Sequence, residues 1–255
     1  MSTAIAAFRP TLGRMADIVL LVGALLGLWQ IVHEFAGAIA MTAPLDTFRY
    51  TLKLVATADF WPHVYRTGTA FALALLIAAT FGLLIGAILG FHRLSGEVAE
   101  PILVALYSIP KVTLYPIILM FFGLGLVAEV AFGALHGIVP ITLFTTNAVR
   151  NIRPVFIKTA RSFGLGPWDL ARTILFPAAL PEIFTGLRVG FAVTLIGTLI
   201  SEMFGSKRGL GFLLMNALGV NNVDLIMALT LLLVTFAAVT NSVFMAIEHR
   251  IYRRA

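Results

Sequence analysis

Long uninterrupted apolar runs alternate along the chain with short polar segments. The runs 71–91 and 225–247 contain no charged residue. Each has roughly the 20 residues that a helix needs to cross about 30 Å of hydrocarbon. None shows the two-residue alternation of a membrane barrel strand. The pattern therefore predicts an all-α membrane protein.

Six transmembrane helices are predicted in one transmembrane domain, residues 1–255. Their approximate bounds are 17–32, 67–91, 101–122, 126–149, 187–204 and 225–247. Pro110 and Pro116 fall in or beside the middle of the third span, so that helix is expected to be kinked or broken.

The charge distribution predicts the orientation. Only 12% of the residues are charged, against about a quarter in soluble domains. With the N-terminus placed in the cytoplasm, more Lys and Arg fall in the inner segments than in the outer ones, as the positive-inside rule requires. Both termini and the loop 150–186 are therefore predicted to be cytoplasmic, and the net charge of +6 is no sign of nucleic-acid binding.

The N-terminal segment has a second interpretation. Arg9 and Arg14 precede an apolar run that ends near "AIA" at 38–40, a pattern that also fits a cleaved signal peptide. Cleavage would remove the first span and leave the orientation of the other five unchanged.

The sequence contains no recognisable set of residues for catalysis, metal binding or cofactor binding. There is no cysteine, and no Gly-Lys pair for a phosphate-binding loop. "HEFAG" at His33 lacks the second His of a zinc protease, because Gly37 stands in its place. We therefore predict a non-catalytic subunit without cofactor or metal, whose energy source lies elsewhere.

The loop 150–186 is basic and is predicted to fold as a helical hairpin. Pro154 and Pro167 suit the first turns of two short helices, and Gly164 suits the left-handed residue between them. Pro177 and Pro181 are expected to prevent simple continuation of the second helix. The hairpin is either an amphipathic segment on the lipid surface or a surface that docks into another protein.

The hairpin resembles the loop of ABC importer permease subunits, whose consensus is Glu-Ala-Ala, three residues, Gly, nine residues, Ile-x-Leu-Pro. The matching residues are Ala160, Gly164, Ile174 and Pro177. The departures are Lys158, Thr159 and Phe176. Lys158 reverses the charge of the family's Glu, which puts any ion pair at that position in doubt.

The resemblance extends from the second span to the end. "YSIPKVTLYPIILMFFGLG" and "SEMFGSKRGLGFLLMNA" are similar to segments of the nitrate, taurine and sulfonate permease group. The resemblance implies a type I importer fold in the bacterial inner membrane and a homodimer of this chain. It also implies two copies of an ATPase and a periplasmic or lipid-anchored solute-binding protein as partners. The hairpin would then contact the ATPase through Phe156, Lys158, Ala160, Arg161, Phe163, Gly164, Trp168, Ile174 and Pro177.

Polar residues within the spans are candidates for a translocation pathway. Broken helices at the middle of a membrane often mark transport sites. The candidates are Tyr107, Ser108, Lys111, Thr113, Tyr115 and Glu202. Lys111 could instead snorkel or pair with Glu129 or Glu202, and Glu202 could pair with Lys207 or Arg208.

Three functions remain open from the sequence. The resemblance favours an importer permease for a small anion such as nitrate, taurine or a sulfonate, or for a thiamine-precursor-like heterocycle. A gradient-driven carrier using Lys111, Glu202 or His136 is the main alternative. An intramembrane enzyme is disfavoured by the missing catalytic set.

Overall fold

A computed structural model describes residues 3–37, 39–152, 155, 158 and 162–252. These residues form helices, turns and short connections, and none of them is in a β-strand. The predicted all-α membrane fold is confirmed.

The described part of the chain contains ten α-helices, numbered here in chain order. They are α1 Thr3–Ala36, α2 Pro44–Ala56, α3 Trp61–Phe91, α4 Arg93–Ser108, α5 Tyr115–Phe122, α6 Leu126–Arg150, α7 Pro167–Leu170, α8 Phe176–Gly205, α9 Leu210–Gly219 and α10 Val223–Tyr252. Shorter helical turns lie at Ala58–Phe60 and Lys111–Leu114, and a π-helical turn lies at Ala171–Leu175.

The predicted number of spans agrees with the helices. Five described helical segments are long and apolar enough to cross a membrane, and a sixth results if α4 and α5 count as one span. The axes of that pair differ by 84° around Pro110 and the Lys111–Leu114 turn. The prediction that proline interrupts the third span is therefore confirmed.

The chain divides into two compact units, of which the first holds Met1–Ala58 and Ala217–Leu233. Within it, the indole N–H of Trp29 on α1 donates to the backbone oxygen of Thr42 at 3.0 Å. The Thr42 hydroxyl lies 2.9 Å from that of Thr47 in the first turn of α2. These bonds attach the amphipathic helix α2 to the end of α1.

The second unit, Asp59–Asn216 and Val234–Ala255, has a core in which α6 packs against both α3 and α8. Small residues bring the helices close together. A Cβ on Gly82, Gly86 or Gly90 of α3 would lie 2.6–2.7 Å from the Cβ of Ile141, Thr145 or Val149 of α6. The four-residue glycine repeat of the second span therefore serves helix packing within the chain.

The expectation that Pro177 and Pro181 prevent simple continuation of the second hairpin helix agrees with the structure at Pro177, where a π-turn interrupts the α-helix, and is wrong at Pro181. Helical structure continues from α7 through the π-turn into α8, and Pro181 lies inside α8. The N–H of Phe176 donates to the oxygen of Ala171, five residues earlier. Pro177 comes directly after this wider turn, in the first turn of α8, where a missing N–H costs little.

Candidate functional site

Glu202 lies in the last turns of α8 and is fully buried. Its Oε2 accepts hydrogen bonds from the Thr67 hydroxyl and from the Gly211 N–H, both at 2.9 Å. The helix dipole disfavours a negative charge near the C-terminal end of a helix, and the two donors offset part of that cost. Because Glu202 bonds to Thr67 and Gly211, the alternative in which it pairs with Lys207 or Arg208 is wrong.

The loop after α8 is fixed by the same group of residues. The N–H of Leu210 donates to the Thr67 hydroxyl at 2.8 Å, and the N–H of Gly209 donates to Nδ1 of His63 at 3.1 Å. We call His63, Thr67, Glu202 and the backbone of 209–211 the Glu202 cluster. It joins the start of α3, the end of α8 and the start of α9.

The Gly209-Leu210-Gly211 sequence is required by close contacts in this cluster. Gly209 has φ +122°, and a Cβ at this position would overlap the carboxyl carbon of Glu202. A Cβ on Gly211 would overlap the backbone oxygen of Leu199. Side chains at either position would push the loop away from Glu202.

A second buried carboxylate lies one helix away. Glu129, in the first turn of α6, has a side chain only 1% exposed. It receives two hydrogen bonds from Arg66 of α3, Nε to Oε2 at 3.0 Å and Nη2 to Oε1 at 2.9 Å. Bidentate pairs of this kind are the strong form of the ion pair, and this one ties α3 to α6.

A cavity of about 560 Å³ opens beside Arg66, at the end of the core where α3 and α6 begin and α8 ends. We call it the basic cavity. It is lined by Arg66, Leu124, Gly125, Phe204, Gly205, Ser206, Lys207 and Arg208. The lining residues described here include three cationic side chains and no acidic one.

Four of the five pathway candidates in the broken third span lie at or near the surface of this chain. Tyr107, Ser108 and Thr113 are exposed, and Lys111 is half-buried. Lys111 Nζ donates to the backbone oxygen of Tyr107 at 3.1 Å and lies 4.9 Å from the centre of the Tyr107 ring. The hydroxyls of Ser108 and Thr113 donate to backbone oxygens within their own turns. The carboxylates of Glu129 and Glu202 are held by other partners, so Lys111 pairs with neither.

Tyr115 and Glu202 differ from the other four pathway candidates because both are buried. The Tyr115 hydroxyl donates to the backbone oxygen of Ser201 at 2.9 Å, and its ring packs edge-on against Phe132. In this structure both side chains lie between helices and line no open surface of the chain.

The hairpin residues that the structure describes expose large aromatic groups. Phe163 is 79% exposed and Trp168 is 75% exposed, on either side of Gly164 with φ +69°. Lys158 is exposed, while Ile174 and Pro177 are half-buried. Phe156, Ala160 and Arg161 lie outside the described residues.

Sequence reasoning missed several partners of the buried charges. Thr67 and His63 were not identified, nor was the Arg66–Glu129 pair. The ion pair in which Arg188 Nη1 donates to Glu248 Oε2 at 2.9 Å was not predicted either.

The chain belongs to the family of binding-protein-dependent transport system inner membrane components, whose profile matches residues 78–255. Members of this family are the membrane permease subunits of ABC importers. The resemblance found in the sequence is thereby confirmed.

Similar proteins cover most of the chain. A probable ABC transporter permease protein of Haemophilus influenzae is 30% identical over 224 residues, 88% of this chain and 91% of that protein. A putative aliphatic sulfonates transport permease protein, SsuC of Bacillus subtilis, is 24% identical over 92% of this chain and 86% of its own length. A chain of the MetNI methionine ABC transporter has the same fold, with TM-score 0.64 and 19% identity over 76% of this chain and 97% of that one.

Proposed function

We propose that this permease subunit forms the translocation pathway for a small anionic solute and is driven by a separate ATPase through the hairpin at 150–186. In the proposed assembly, two copies of the chain bind two ATPase subunits on the cytoplasmic side. A solute-binding protein delivers the solute to the opposite side. Both chain termini are cytoplasmic in this arrangement.

The observation that carries the coupling proposal is the pair of exposed aromatic side chains at the hairpin. Phe163 and Trp168 flank the left-handed Gly164 and leave about three quarters of their surface uncovered. Aromatic anchors of this kind dominate the binding energy of protein interfaces. Because helical structure continues from Pro167 to Gly205, a force on the hairpin acts directly on a membrane-spanning helix.

The anionic solute is supported by similar proteins and by charge. The relative from Bacillus subtilis is named for aliphatic sulfonates. Lys111 lies in the turn of the broken span, half-buried and without a carboxylate partner among the described residues. Charged side chains inside membrane spans mark substrate and ion pathways, and broken helices mark transport sites, so a cation at this position supports an anion pathway.

The coupling proposal is tested by removing the two aromatic anchors. We expect the Phe163→Ala/Trp168→Ala variant to bind the ATPase subunit at least about 30-fold more weakly, since each anchor is expected to contribute about 1 kcal/mol or more. Affinity is measured with purified proteins in detergent, and ATP hydrolysis is measured in parallel. The matched control is Tyr65→Ala/Phe121→Ala, which removes two aromatic groups that are 79% and 80% exposed outside the hairpin.

The control is expected to bind the ATPase like the wild type. Unchanged affinity in the hairpin variant would contradict the proposed coupling surface. Solute uptake by the chain alone, driven by an ion gradient in vesicles, would contradict ATP-driven import and favour a secondary carrier.

A further inference from the structure

We propose that the basic cavity is a binding site for a small monoanionic organic oxyanion of the alkanesulfonate type. The identification of that anion with a transported solute rests on the function proposed above. The binding site itself is inferred from the charges, the fixed backbone and the apolar side chains of the cavity.

The cavity has an excess of positive charge. Arg66 is neutralised by its bidentate pair with Glu129, whose side chain is only 1% exposed. Lys207 and Arg208 are exposed, and the structure gives neither an acidic partner among the described residues. An oxyanion between them would receive charge-assisted hydrogen bonds, which are stronger than neutral ones.

The backbone that presents these cations is held in place before any ligand binds. The Ser206 hydroxyl donates to the backbone oxygen of Arg208 at 2.6 Å and accepts from its N–H at 3.3 Å. Directly after it, the N–H groups of residues 209, 210 and 211 are all bound within the Glu202 cluster. A fixed backbone lowers the entropy cost of binding, so Glu202 and Thr67 act as positioning residues for this cavity.

Two features of the lining select among oxyanions. Leu124 and Phe204 are large apolar side chains, 75% and 56% exposed, and offer a contact for a short alkyl group. No carboxylate among the described lining residues is available for an ammonium group. The cavity is therefore expected to prefer ethanesulfonate to taurine, which differs from it by one ammonium group.

The test measures binding of radiolabelled ethanesulfonate to the full-length chain in nanodiscs of phosphatidylcholine, by equilibrium dialysis. We expect saturable binding that the Lys207→Gln/Arg208→Gln variant weakens about tenfold or more. The matched control, Arg49→Gln/Lys53→Gln, removes two exposed cations on α2 and is expected to bind like the wild type. Unlabelled taurine is expected to compete more weakly than unlabelled ethanesulfonate.

Four results would overturn the proposal: no saturable binding, equal loss in the control, equal competition by taurine, or binding unaffected in the cavity variant. A second arm repeats the assay with phosphatidylglycerol. If the cavity cations bind only that lipid headgroup, measured by native mass spectrometry, and never ethanesulfonate, the free-anion site is excluded. Binding to the ATPase is measured separately, so a failure of this site leaves the hairpin proposal testable.

Discussion

At residue scale, one hydroxyl group joins three segments of the chain. The Thr67 hydroxyl donates to Glu202 and accepts from the N–H of Leu210. Without it, the carboxylate would keep only the Gly211 N–H as a partner, and the Leu210 N–H would lose its acceptor. Buried groups left without hydrogen bonds are costly, so the position requires a hydroxyl.

Replacing this hydroxyl tests its contribution directly. We expect Thr67→Val, which preserves shape, to lower the free energy of unfolding by about 2 kcal/mol or more. Thr67→Ser keeps the hydroxyl and is expected to lose much less. The measurement is reversible unfolding in mixed detergent micelles, and equal stability of the two variants would show that the hydrogen bonds contribute little.

The sequence singled out Glu202 and the Gly-Leu-Gly segment, but not the residues that connect them. Glu202 and Thr67 are 135 positions apart. Local spacing identifies neighbours within a helix, three or four residues away, and gives no information about contacts between distant helices. The pairing of Glu202 with Lys207 or Arg208 was one alternative because those residues are near in sequence, and the structure places the Gly211 N–H and the Thr67 hydroxyl there instead.

At the scale of elements, the π-turn at Ala171–Leu175 sets the angle between the hairpin and α8. The hydrogen bond of a π-turn joins residues five apart, whereas that of an α-helical turn joins residues four apart, so the π-turn contains one extra residue. Each residue in a helix adds about 100° of rotation, so the extra residue determines which way Trp168 faces relative to the span.

Deleting Thr173 is expected to convert the π-turn into an α-helical turn and to rotate the hairpin by about 100° relative to α8. ATPase activity in the complex should then no longer respond to solute and binding protein, while the permease remains folded. Thr173 is exposed, so Thr173→Ala, which keeps the residue count, is the control and should remain coupled. A fully coupled deletion variant would show that the angle is unimportant.

The elements were predicted unevenly, and proline explains both the success and the error. Pro110 was expected to break the third span, and the chain does bend there by 84°. Pro177 and Pro181 were expected to prevent simple continuation of a helix, but a π-turn accommodates Pro177 and the helix continues past Pro181. A proline in the sequence shows that one backbone hydrogen bond is missing. Whether the helix bends or continues there depends on how the neighbouring turns pack, and the sequence pattern does not show this.

At the scale of the whole molecule, the proposed topology places the hairpin and the basic cavity on opposite sides of the membrane. The helix α8 joins them with 30 residues. At about 1.5 Å per residue it is about 45 Å long, enough to cross about 30 Å of hydrocarbon.

The natural absence of cysteine allows this topology to be measured with single introduced thiols. In spheroplasts, a membrane-impermeant maleimide is expected to label Lys207→Cys at once and Ser162→Cys only after permeabilisation. Both positions are exposed, so access to solvent within the chain does not limit labelling. The wild type is the blank, and the reverse labelling pattern would invert the proposed orientation.

The class of the molecule was predictable because long apolar runs and the hairpin spacing are local features. The basic cavity was not, because its lining comes from the starts of α3 and α6 and the end of α8. Arg66 and Arg208 are far apart in sequence and become neighbours only when these helices pack.

The Glu202 cluster also has a consequence for the synthesis of the chain. Thr67 and Leu210 are 143 residues apart. At about 5–20 residues per second, Leu210 is made roughly 7 to 30 s after Thr67. During that interval α3 must remain in the bilayer while the Thr67 hydroxyl lacks its hydrogen bonds to Glu202 and Leu210. Its long apolar stretch, the most hydrophobic of the described candidate spans, therefore secures the helix in lipid until the rest of the chain arrives.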